Sequence, residues 1–504
     1  MASYHLLSKN QQAGNLIESA KFSKSAFNKF NQKSQVLLTM QKQSKNPSIA
    51  IIGGGFSGTM LAINLVKHTK TPLNIFLISK SEAIGRGVAY STNDESHLLN
   101  VPASNMSAYP DDAGHFLKWL QANDYFPNPA NYYPRKIYGD YIASQFDEVK
   151  DKITVVSSAA IDLKIDNEDT IIDLANGEKI TAQFVTLALG NFAPLTSDAQ
   201  KALFQLKDQV IHNPWADLER VNNIYKEAEV LIIGTGLTMV DIALTLFNNG
   251  HQGKVTAISR HGKLPESHIK NKPAYELELP KENTVRSLFR YVRNEITRAE
   301  KNGLPWQSVF DSLRPHTSRL WQGLSRADKK RFMRHVRVWW DTRRHRISEI
   351  TYEKLLSKKL DNKLFIRAAR ISLINPLQDK FEVVFKPRGS KTPVVTRNYD
   401  YIINCVTPET NLEQVQDPLV QNLLAKEIIR NGTLRMGLKV NNEGAVIGKA
   451  DFALPNIFAL GPIQKGELWE TIAVPELRVQ AKNLATKIIE AIGNSQIARE
   501  GAGI

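Results

Sequence analysis

Cysteine is nearly absent from this chain: Cys405 is the only one in 504 residues. A single thiol cannot form a disulfide within the chain and is typical of a reducing compartment, so we expect a cytoplasmic protein. It also excludes enzymes that work through a redox-active pair of cysteines, because such a pair needs two thiols. Long apolar runs are missing too: none approaches the ~18–20 residues that span a bilayer, so we expect no membrane partner.

Acidic residues are fewer than basic ones. The chain has 50 Asp and Glu against 65 Lys and Arg, which gives a net charge of +15. The excess is concentrated before Lys45 and between Arg286 and Arg346. Such a charge attracts nucleic acid, but the chain lacks a basic stripe with interleaved aromatic residues. Nucleic acid is therefore a minor hypothesis, and anionic cofactors explain part of the charge.

The first 45 residues are rich in Ser, Lys and Gln and contain no arginine. Their polarity and lack of apolar periodicity predict a mobile N-terminal extension over residues 1–45, which we interpret as either a dispensable tail or the result of a misassigned start codon. The absence of arginine argues against a transit peptide.

Glycines, by contrast, cluster where apolar runs end. The run 49–52 meets Gly53, Gly55 and Gly58 in a G-x-G-x-x-G pattern, and a helical pattern follows. In this motif the first glycine permits a tight turn, the second lets the backbone approach a pyrophosphate, and the third allows the helix to pack closely on the strand. The N–H groups at the start of the helix favour anions. The stretch therefore predicts a dinucleotide site.

A second strand–glycine–helix pattern follows the apolar run 230–233. Gly234 and Gly236 occupy the first two glycine positions, and Met239 replaces the third. A single glycine-ended strand is often only a tight turn, but two such turns, each between a strand and a helix, favour two dinucleotides. The number of residues between the two motifs is about the length expected when one domain is inserted into another.

The residue after the following strand distinguishes the two predicted sites. An acidic side chain ~20 residues after such a motif normally binds a ribose hydroxyl. After the first motif this position is Ser79, with Glu82 slightly later, and either residue is a candidate. After the second motif Ser259 and Arg260 replace the acid, and arginine suits a 2′-phosphate. The second site is therefore predicted to prefer NADPH to NADH.

These patterns predict an α/β fold with two Rossmann-like dinucleotide-binding domains, the first discontinuous and the second inserted into it. Strands ending at Gly190 and Gly461 are expected to return to the first sheet. Apolar residues at helical spacing predict a helical insertion at about 280–350. The predicted first domain covers residues 46–226 and 386–504, and the second covers 227–385.

The motifs together resemble a known family. The chain is similar to the bacterial FAD/NAD(P)-binding proteins that are related to class B flavin monooxygenases and N-hydroxylating monooxygenases. The stretches that carry the resemblance span nearly everything after residue 46, namely Gly53–Gly58, Gly85–Tyr90, Leu98–Pro102, Gly234–Asp241, Trp339–Arg346 and Gly461–Gln480.

The resemblance implies that the first site holds FAD and the second NADP, with no metal. The implied FAD contacts are Gly53, Gly55, Phe56, Ser57, Gly58, Ser79, Glu82, Arg86, Asn100, Gly190, Gly461, Trp469 and Glu470. The implied NADP contacts are Gly234, Gly236, Leu237, Thr238, Ser259 and Arg260. Glu470 and Arg478 are the candidate catalytic groups near the flavin, the alternative being an Arg–Glu pair that caps a helix.

The resemblance implies an FAD-dependent, NADPH-using oxidoreductase. The leading hypothesis is a monooxygenase that uses molecular oxygen to hydroxylate a small substrate, for instance a nitrogenous one, through a peroxyflavin. One alternative is an NADPH-dependent flavin reductase or oxidase without substrate oxygenation. Another is a flavin-bound redox sensor or scaffold with negligible turnover, which Ser79 and Thr407 keep open because relatives usually carry an acid and a glycine there. The sequence leaves the substrate and the oligomeric state open.

Overall fold

The computed structural model describes residues 46–194, 208–270, 272–389 and 394–501, with side chains up to residue 495. The predicted extension 1–45 lies outside these residues. In chain order the strands are β1 (Ser48–Ile52), β2 (Asn74–Ser79), β3 (Ile153–Ser157), β4 (Ala160–Asp166), β5 (Asp169–Leu174), β6 (Lys179–Ala182), β7 (Phe184–Leu187), β8 (Val210–Ile211), β9 (Val230–Ile233), β10 (Val255–Ser259), β11 (Leu364–Pro376), β12 (Phe381–Pro387), β13 (Val395–Tyr399), β14 (Tyr401–Asn404), β15 (Ala445–Ile447) and β16 (Ala453–Ala459).

Helices alternate with these strands and also form one long insertion. In chain order they are α1 (Phe56–His68), α2 (Gly87–Tyr90), α3 (His115–Ala122), α4 (Arg135–Asp147), α5 (Leu218–Asn222), α6 (Leu237–Asn248), α7 (Val285–Lys301), α8 (Trp306–Leu313), α9 (Thr317–Gly323), α10 (Arg326–Arg331), α11 (Arg337–Arg344), α12 (Glu349–Leu360), α13 (Pro418–Ala425), α14 (Lys465–Leu468) and α15 (Val474–Gly501). A π-helical turn, Phe332–Val336, joins α10 to α11.

The first sheet contains six strands in the order β15-β16-β7-β1-β2-β3. All its neighbours pair in parallel except β15 and β16. The central strand β1 is buried on both faces, as its unbroken apolar run predicts. Helices α1 and α15 share one face, where Met60 and Leu61 join Leu477 and Ala481 in a single core. The sequence returns to this sheet at β16, as predicted for the strand before Gly461.

The second sheet contains seven strands in the order β13-β12-β11-β10-β9-β14-β8. The strands from β8 to β11 pair in parallel, and β12 and β13 extend the sheet in antiparallel fashion. With the first sheet, it confirms the predicted α/β fold of two Rossmann-like units. A third, antiparallel sheet, β4-β5-β6, packs against α13.

The second sheet extends beyond the predicted limits of 227–385. Strand β8 precedes that range, and β13 and β14 follow it. The reason is hydrogen bonding: β9 lies in the middle of the sheet, and its backbone groups need a partner on each edge. Strand β10 pairs with one edge, and the buried run of β14 pairs with the other. The unit that carries the second glycine motif therefore ends near Asn404.

Helices α7 to α11 fall within the range predicted for the helical insertion. Thr284 begins α7 with a capping box, in which its hydroxyl accepts a hydrogen bond from the Ser287 N–H. The apolar side of the insertion packs around Trp321 and reaches Trp469 near the C-terminal end of the chain. Among the helices of the described residues, none has both the length and the apolar character needed to cross a membrane.

Candidate active site

The first glycine turn is closed by backbone contacts that leave no room for side chains. Gly53 has φ +124°, and a Cβ there would lie 2.1 Å from the Ala188 carbonyl oxygen. A Cβ on Gly58 would lie 2.0 Å from the Gly53 carbonyl oxygen, so the third glycine allows the close helix–strand packing that the motif predicts. No described side chain caps the start of α1. Its first N–H groups are therefore oriented as an anion site requires.

Two other segments flank this turn. Gly87, at the start of α2, faces Gly55, whose added Cβ would lie 3.6 Å from the Gly87 Cα. Gly461, with φ +87°, abuts Ser57, since a Cβ on it would lie 2.8 Å from the Ser57 Oγ. Gly190 also has a positive φ, +69°, but an added Cβ would meet open space. The turn, α2 and the loop at Gly461 therefore form one cradle.

Ser79 and Glu82 differ in how they meet this cradle. Ser79 is buried, and a Cβ on Gly54 would lie 2.6 Å from its Oγ. That Oγ donates to the Ser81 carbonyl at 2.8 Å and accepts from the Ser81 N–H at 3.1 Å. Glu82 is exposed. Ser79 thus lies at the turn with its hydroxyl engaged locally, and Glu82 carries the free carboxylate.

Arg86 and Asn100 lie on segments that contact other parts of the protein. Arg86 forms an ion pair with Asp140 on α4. The Asn100 carbonyl accepts a hydrogen bond from the His268 Nε2 at 3.0 Å, so that nitrogen carries the proton. Burial, followed by the charge of Arg346, lowers the pKa of His268 to about 3. The neutral imidazole of His268 therefore connects the loop that contains Asn100 in the first unit to the second unit.

Trp469 and Glu470, predicted at the flavin, point into the helical insertion. Trp469 stacks on Trp321, with ring centroids 4.6 Å apart. Glu470 is buried and forms an ion pair with Arg344 at 2.8 Å. Burial raises the pKa of Glu470, and Arg344 opposes that shift. Arg478 does not pair with Glu470 and instead donates to the Ser107 carbonyl at 2.8 Å, so the Arg–Glu pair that exists is a different one.

The Glu470–Arg344 pair belongs to a larger buried network that the sequence did not suggest. Arg344 also approaches Glu476 at 3.4 Å. Arg314 donates to Glu476 through two nitrogens, one at 2.8 Å. The two arginines come from the helical insertion, and the two glutamates come from the segment after Gly461. Buried charges of this kind must pair to offset their desolvation, so the network fixes the insertion against the first unit.

The second glycine turn is built like the first but is more open. Gly234 has φ +115°, and a Cβ there would lie 2.4 Å from the Cys405 carbonyl oxygen. A Cβ on Gly236 would meet nothing within 4 Å. No described side chain caps the start of α6, where Leu237 and Thr238 are half-buried. This helix terminus therefore faces free space.

Hydroxyl groups join this turn to the end of β10. The Thr235 Oγ1 lies 2.9 Å from the Ser259 Oγ and donates to the Lys263 carbonyl at 2.6 Å. The Ser259 Oγ also accepts from the Gly262 N–H at 3.0 Å. Ser259 thus shapes the loop, while its neighbour Arg260 is exposed.

Basic side chains surround this loop. Arg388, just after β12, donates to the Nδ1 of His261. Burial and then the charges of Arg388, Arg260 and Lys263 lower the pKa of His261. Arg388 was not predicted, because it lies far along the chain and reaches the loop only through pairing of β11 with β12. Three permanent cations therefore meet where the sequence predicts a 2′-phosphate.

A polar network also joins the two units beside α6. Asp241, buried on α6, pairs with Arg135 of α4 at 2.9 Å. The His97 Nε2 lies 2.9 Å from the Thr245 Oγ1, which donates to an Asp94 carboxylate oxygen at 2.7 Å. These residues were not predicted from the sequence, because nothing in the sequence shows that they lie next to one another in the fold.

Comparison with known proteins assigns part of the chain. Residues 50–192 match the FAD-NAD(P)-binding family. This region is an FAD/NAD(P)-binding domain. It contains the first glycine turn and most of its cradle. No curated protein sequence matches the chain.

Solved structures share the fold beyond this FAD/NAD(P)-binding domain. L-lysine 6-monooxygenase from Pseudomonas syringae is 15% identical with a TM-score of 0.61, over 89% of this chain and 99% of that one. Ornithine hydroxylase from Pseudomonas aeruginosa is 14% identical with a TM-score of 0.60, over 88% and 99%. Ornithine N-hydroxylase from Kutzneria sp. 744, solved with reduced FAD, NADP⁺ and L-ornithine, is 12% identical with a TM-score of 0.59, over 90% of this chain and 100% of that one. At these identities the likeness is one of fold.

Proposed function

We propose that this protein is an FAD-dependent, NADPH-using oxidoreductase, and specifically a monooxygenase of a small substrate. The observation that carries the proposal is the pair of glycine turns, each ending a buried strand and opening a helix without a side-chain cap. FAD would lie in the cradle formed by the first turn, α2 and the Gly461 loop. NADPH would lie at the second turn.

The residues present fit these two cofactors. Gly53 and Gly58 allow the tight turn and the close helix–strand packing, and Gly55 has no side chain between the backbone and a pyrophosphate. Ser79 at the cradle and Glu82 beside it are the candidates for the FAD ribose. At the second turn Arg260, Lys263 and Arg388 provide positive charge for a 2′-phosphate, which NADPH carries and NADH lacks.

The proposed reaction inserts one oxygen atom of O₂ into the substrate and releases the other as water. NADPH supplies the two electrons and, together with a proton, the hydrogen that balances the water. Bound FAD would provide the chemistry that activates oxygen. The protein would bind the cofactors, exclude water and hold charge near the reacting atoms. Glu470 is a candidate for the last role, because its pKa is raised by burial and it is held by Arg344. The single cysteine supports a reaction without a dithiol step and a cytoplasmic location.

The test is an anaerobic titration of the purified protein with NADPH, followed by admission of oxygen. We expect a flavin spectrum that NADPH bleaches. With a true substrate, product should form at the rate of NADPH consumption and hydrogen peroxide should stay low. Quantitative peroxide release with every candidate substrate would instead favour a reductase or oxidase. A yellow protein that NADPH never bleaches would favour a redox sensor or scaffold.

A further inference from the structure

The helical insertion encloses an apolar cavity of about 130 Å³. Its walls come from α7, α8, α9, α11 and the π-helical turn, and Trp469 of the C-terminal segment closes one side. Apart from Arg293, Arg343 and Thr317, the described lining residues are all apolar. For comparison, a closed cavity of roughly 150 Å³ lined by Leu, Ile and Phe holds a molecule the size of benzene. The size and lining therefore suit a small aromatic ring or a short aliphatic chain.

The mouth of the cavity is cationic and aromatic. Phe289 and Trp339 are 42% and 41% exposed, which marks the side open to solvent. The Arg343 guanidinium lies 5.6 Å from the ring centroid of Trp306 and 5.9 Å from that of Trp339, and Arg293 lies 5.8 Å from that of Phe289. Within the described part of the chain, neither arginine forms an ion pair with a carboxylate. Two uncompensated cations at an apolar mouth attract an anion and repel an amine.

Residues that line the cavity are linked to both predicted nucleotide sites. On one side the Lys263 Nζ lies 4.5 Å from the Trp339 ring centroid, and the Lys263 carbonyl accepts from Thr235 in the second glycine turn. On the other side Trp469 belongs to the segment that starts at Gly461, which abuts Ser57 of the first turn. A molecule in the cavity would therefore touch residues that are linked to both predicted sites.

From this geometry we propose that the cavity is the substrate site and that the substrate is a small aromatic or aliphatic acid. Its apolar part fills the space around Trp321 and Trp469, and its acidic group faces Arg343. The assignment to substrate rests on the proposed function, whereas binding of the acid stands on the cavity itself.

Tryptophan fluorescence of the FAD-loaded protein can measure this binding, because four of the seven tryptophans line the cavity. The probes are phenylacetate, hexanoate, the neutral phenylacetamide and the cationic phenethylamine. We expect both acids to quench the fluorescence and phenylacetate to bind at least about tenfold more tightly than phenethylamine, since a hydrogen-bonded charge contributes about 1.5–3 kcal/mol. Equal affinity for the acid and the amine, or no quenching by either acid, would overturn the proposal.

Three variants locate the site. Val292→Trp should fill the cavity and weaken all probes by at least about tenfold, and Val292→Phe is a smaller replacement if the first variant does not fold. Arg343→Gln should remove the preference for acids but keep phenylacetamide binding. Arg290→Gln, at an exposed position of α7, the helix that carries Val292, should change neither the affinity for the probes nor the preference for acids. The protein could instead form a dimer that Val292→Trp breaks while probe binding is unchanged. That result would overturn the proposal and show that the apolar mouth meets a second copy of the chain.

A parallel measurement separates this inference from the proposed function. Bleaching of FAD by NADPH does not require the cavity, so it should persist in Val292→Trp. Intact bleaching without acid binding would refute only the inference. Acid binding without bleaching by NADPH would refute the proposed function and leave a binding site of another purpose.

Discussion

The first glycine turn is covered by a neighbouring segment, whereas the second lies open. A Cβ added to Gly55 would lie 3.6 Å from the Gly87 Cα. A Cβ added to Gly236 would meet no atom within 4 Å. Ser79 is buried beside the first turn, and Arg260 is exposed beside the second. A covered site favours a resident group, and an open one favours a ligand that enters and leaves. This difference supports the proposal that FAD stays bound at the first turn and that NADPH exchanges at the second.

Charge follows the same division. Near the segment after Gly461, the half-buried Arg314 and the buried Arg344 are both paired with glutamates. Near the second turn, Arg260 and Arg388 have no carboxylate partner among the described residues. Paired charges hold elements together, while unpaired ones are available to a phosphate.

The largest expected effect comes from Gly53→Ala. The new Cβ would lie 2.1 Å from the Ala188 carbonyl oxygen at a φ of +124°, so the backbone must move. We expect loss of most bound FAD and a decrease in the free energy of unfolding of more than about 3 kcal/mol, measured by flavin absorbance and chemical denaturation. Gly236→Ala is the matched control, since its Cβ meets open space. An equal loss of FAD in both variants would end the distinction between the turns.

Arg344→Met should come next, because it leaves Glu470 buried without its partner. Removing one member of a buried ion pair costs about 3–5 kcal/mol of stability. Thermal or denaturant unfolding measures the change. Arg435→Met, which breaks an exposed pair with Glu413, should cost no more than about 1 kcal/mol. Similar costs for the two variants would mean that the network does not fix the insertion.

Arg388→Gln should weaken NADPH while sparing NADH. Loss of one charge-assisted contact, worth about 1.5–3 kcal/mol, should raise the KM for NADPH roughly ten- to a hundredfold. Steady-state kinetics of NADPH and NADH oxidation measure this selectivity, and Arg260→Gln should behave alike. Arg370→Gln, exposed on β11, serves as the control. A rise in KM for both nucleotides would refute 2′-phosphate recognition.

The effect that is smallest near neutral pH is the titration of His268. The folded-state pKa of His268 is about 3 against an ordinary 6.5, so the unfolded chain binds the proton first. The stability that the neutral His268 contributes is fully present above pH 6.5. As the pH falls from 6.5 toward 3, the free energy of unfolding decreases by about 1.4 kcal/mol for each pH unit. His268→Gln should flatten the profile of unfolding free energy in this window, whereas His335→Gln, at an exposed site, should not. An unchanged slope in His268→Gln would contradict the assignment.

The glycine turns and the return of the chain to the first sheet at β16 were predictable, because each is marked by a short local pattern: an apolar run, glycines and a helical pattern. Arg388 and the partner of Glu470 were not, because they depend on side chains brought together from distant segments. The place of β14 between β9 and β8 escaped prediction for a similar reason, since a short buried run does not say which sheet it joins. The stacking of Trp469, an implied flavin contact, on Trp321 was equally unpredictable, because the two residues lie far apart in the chain.

The most direct test of the account is gel filtration of the protein after incubation with FAD and NADP⁺, followed by nucleotide analysis of the protein peak. A resident cofactor at the covered turn and an exchangeable one at the open turn predict about one FAD per chain and almost no NADP⁺. Retained NADP⁺ with FAD washed away, or loss of both nucleotides, would contradict it.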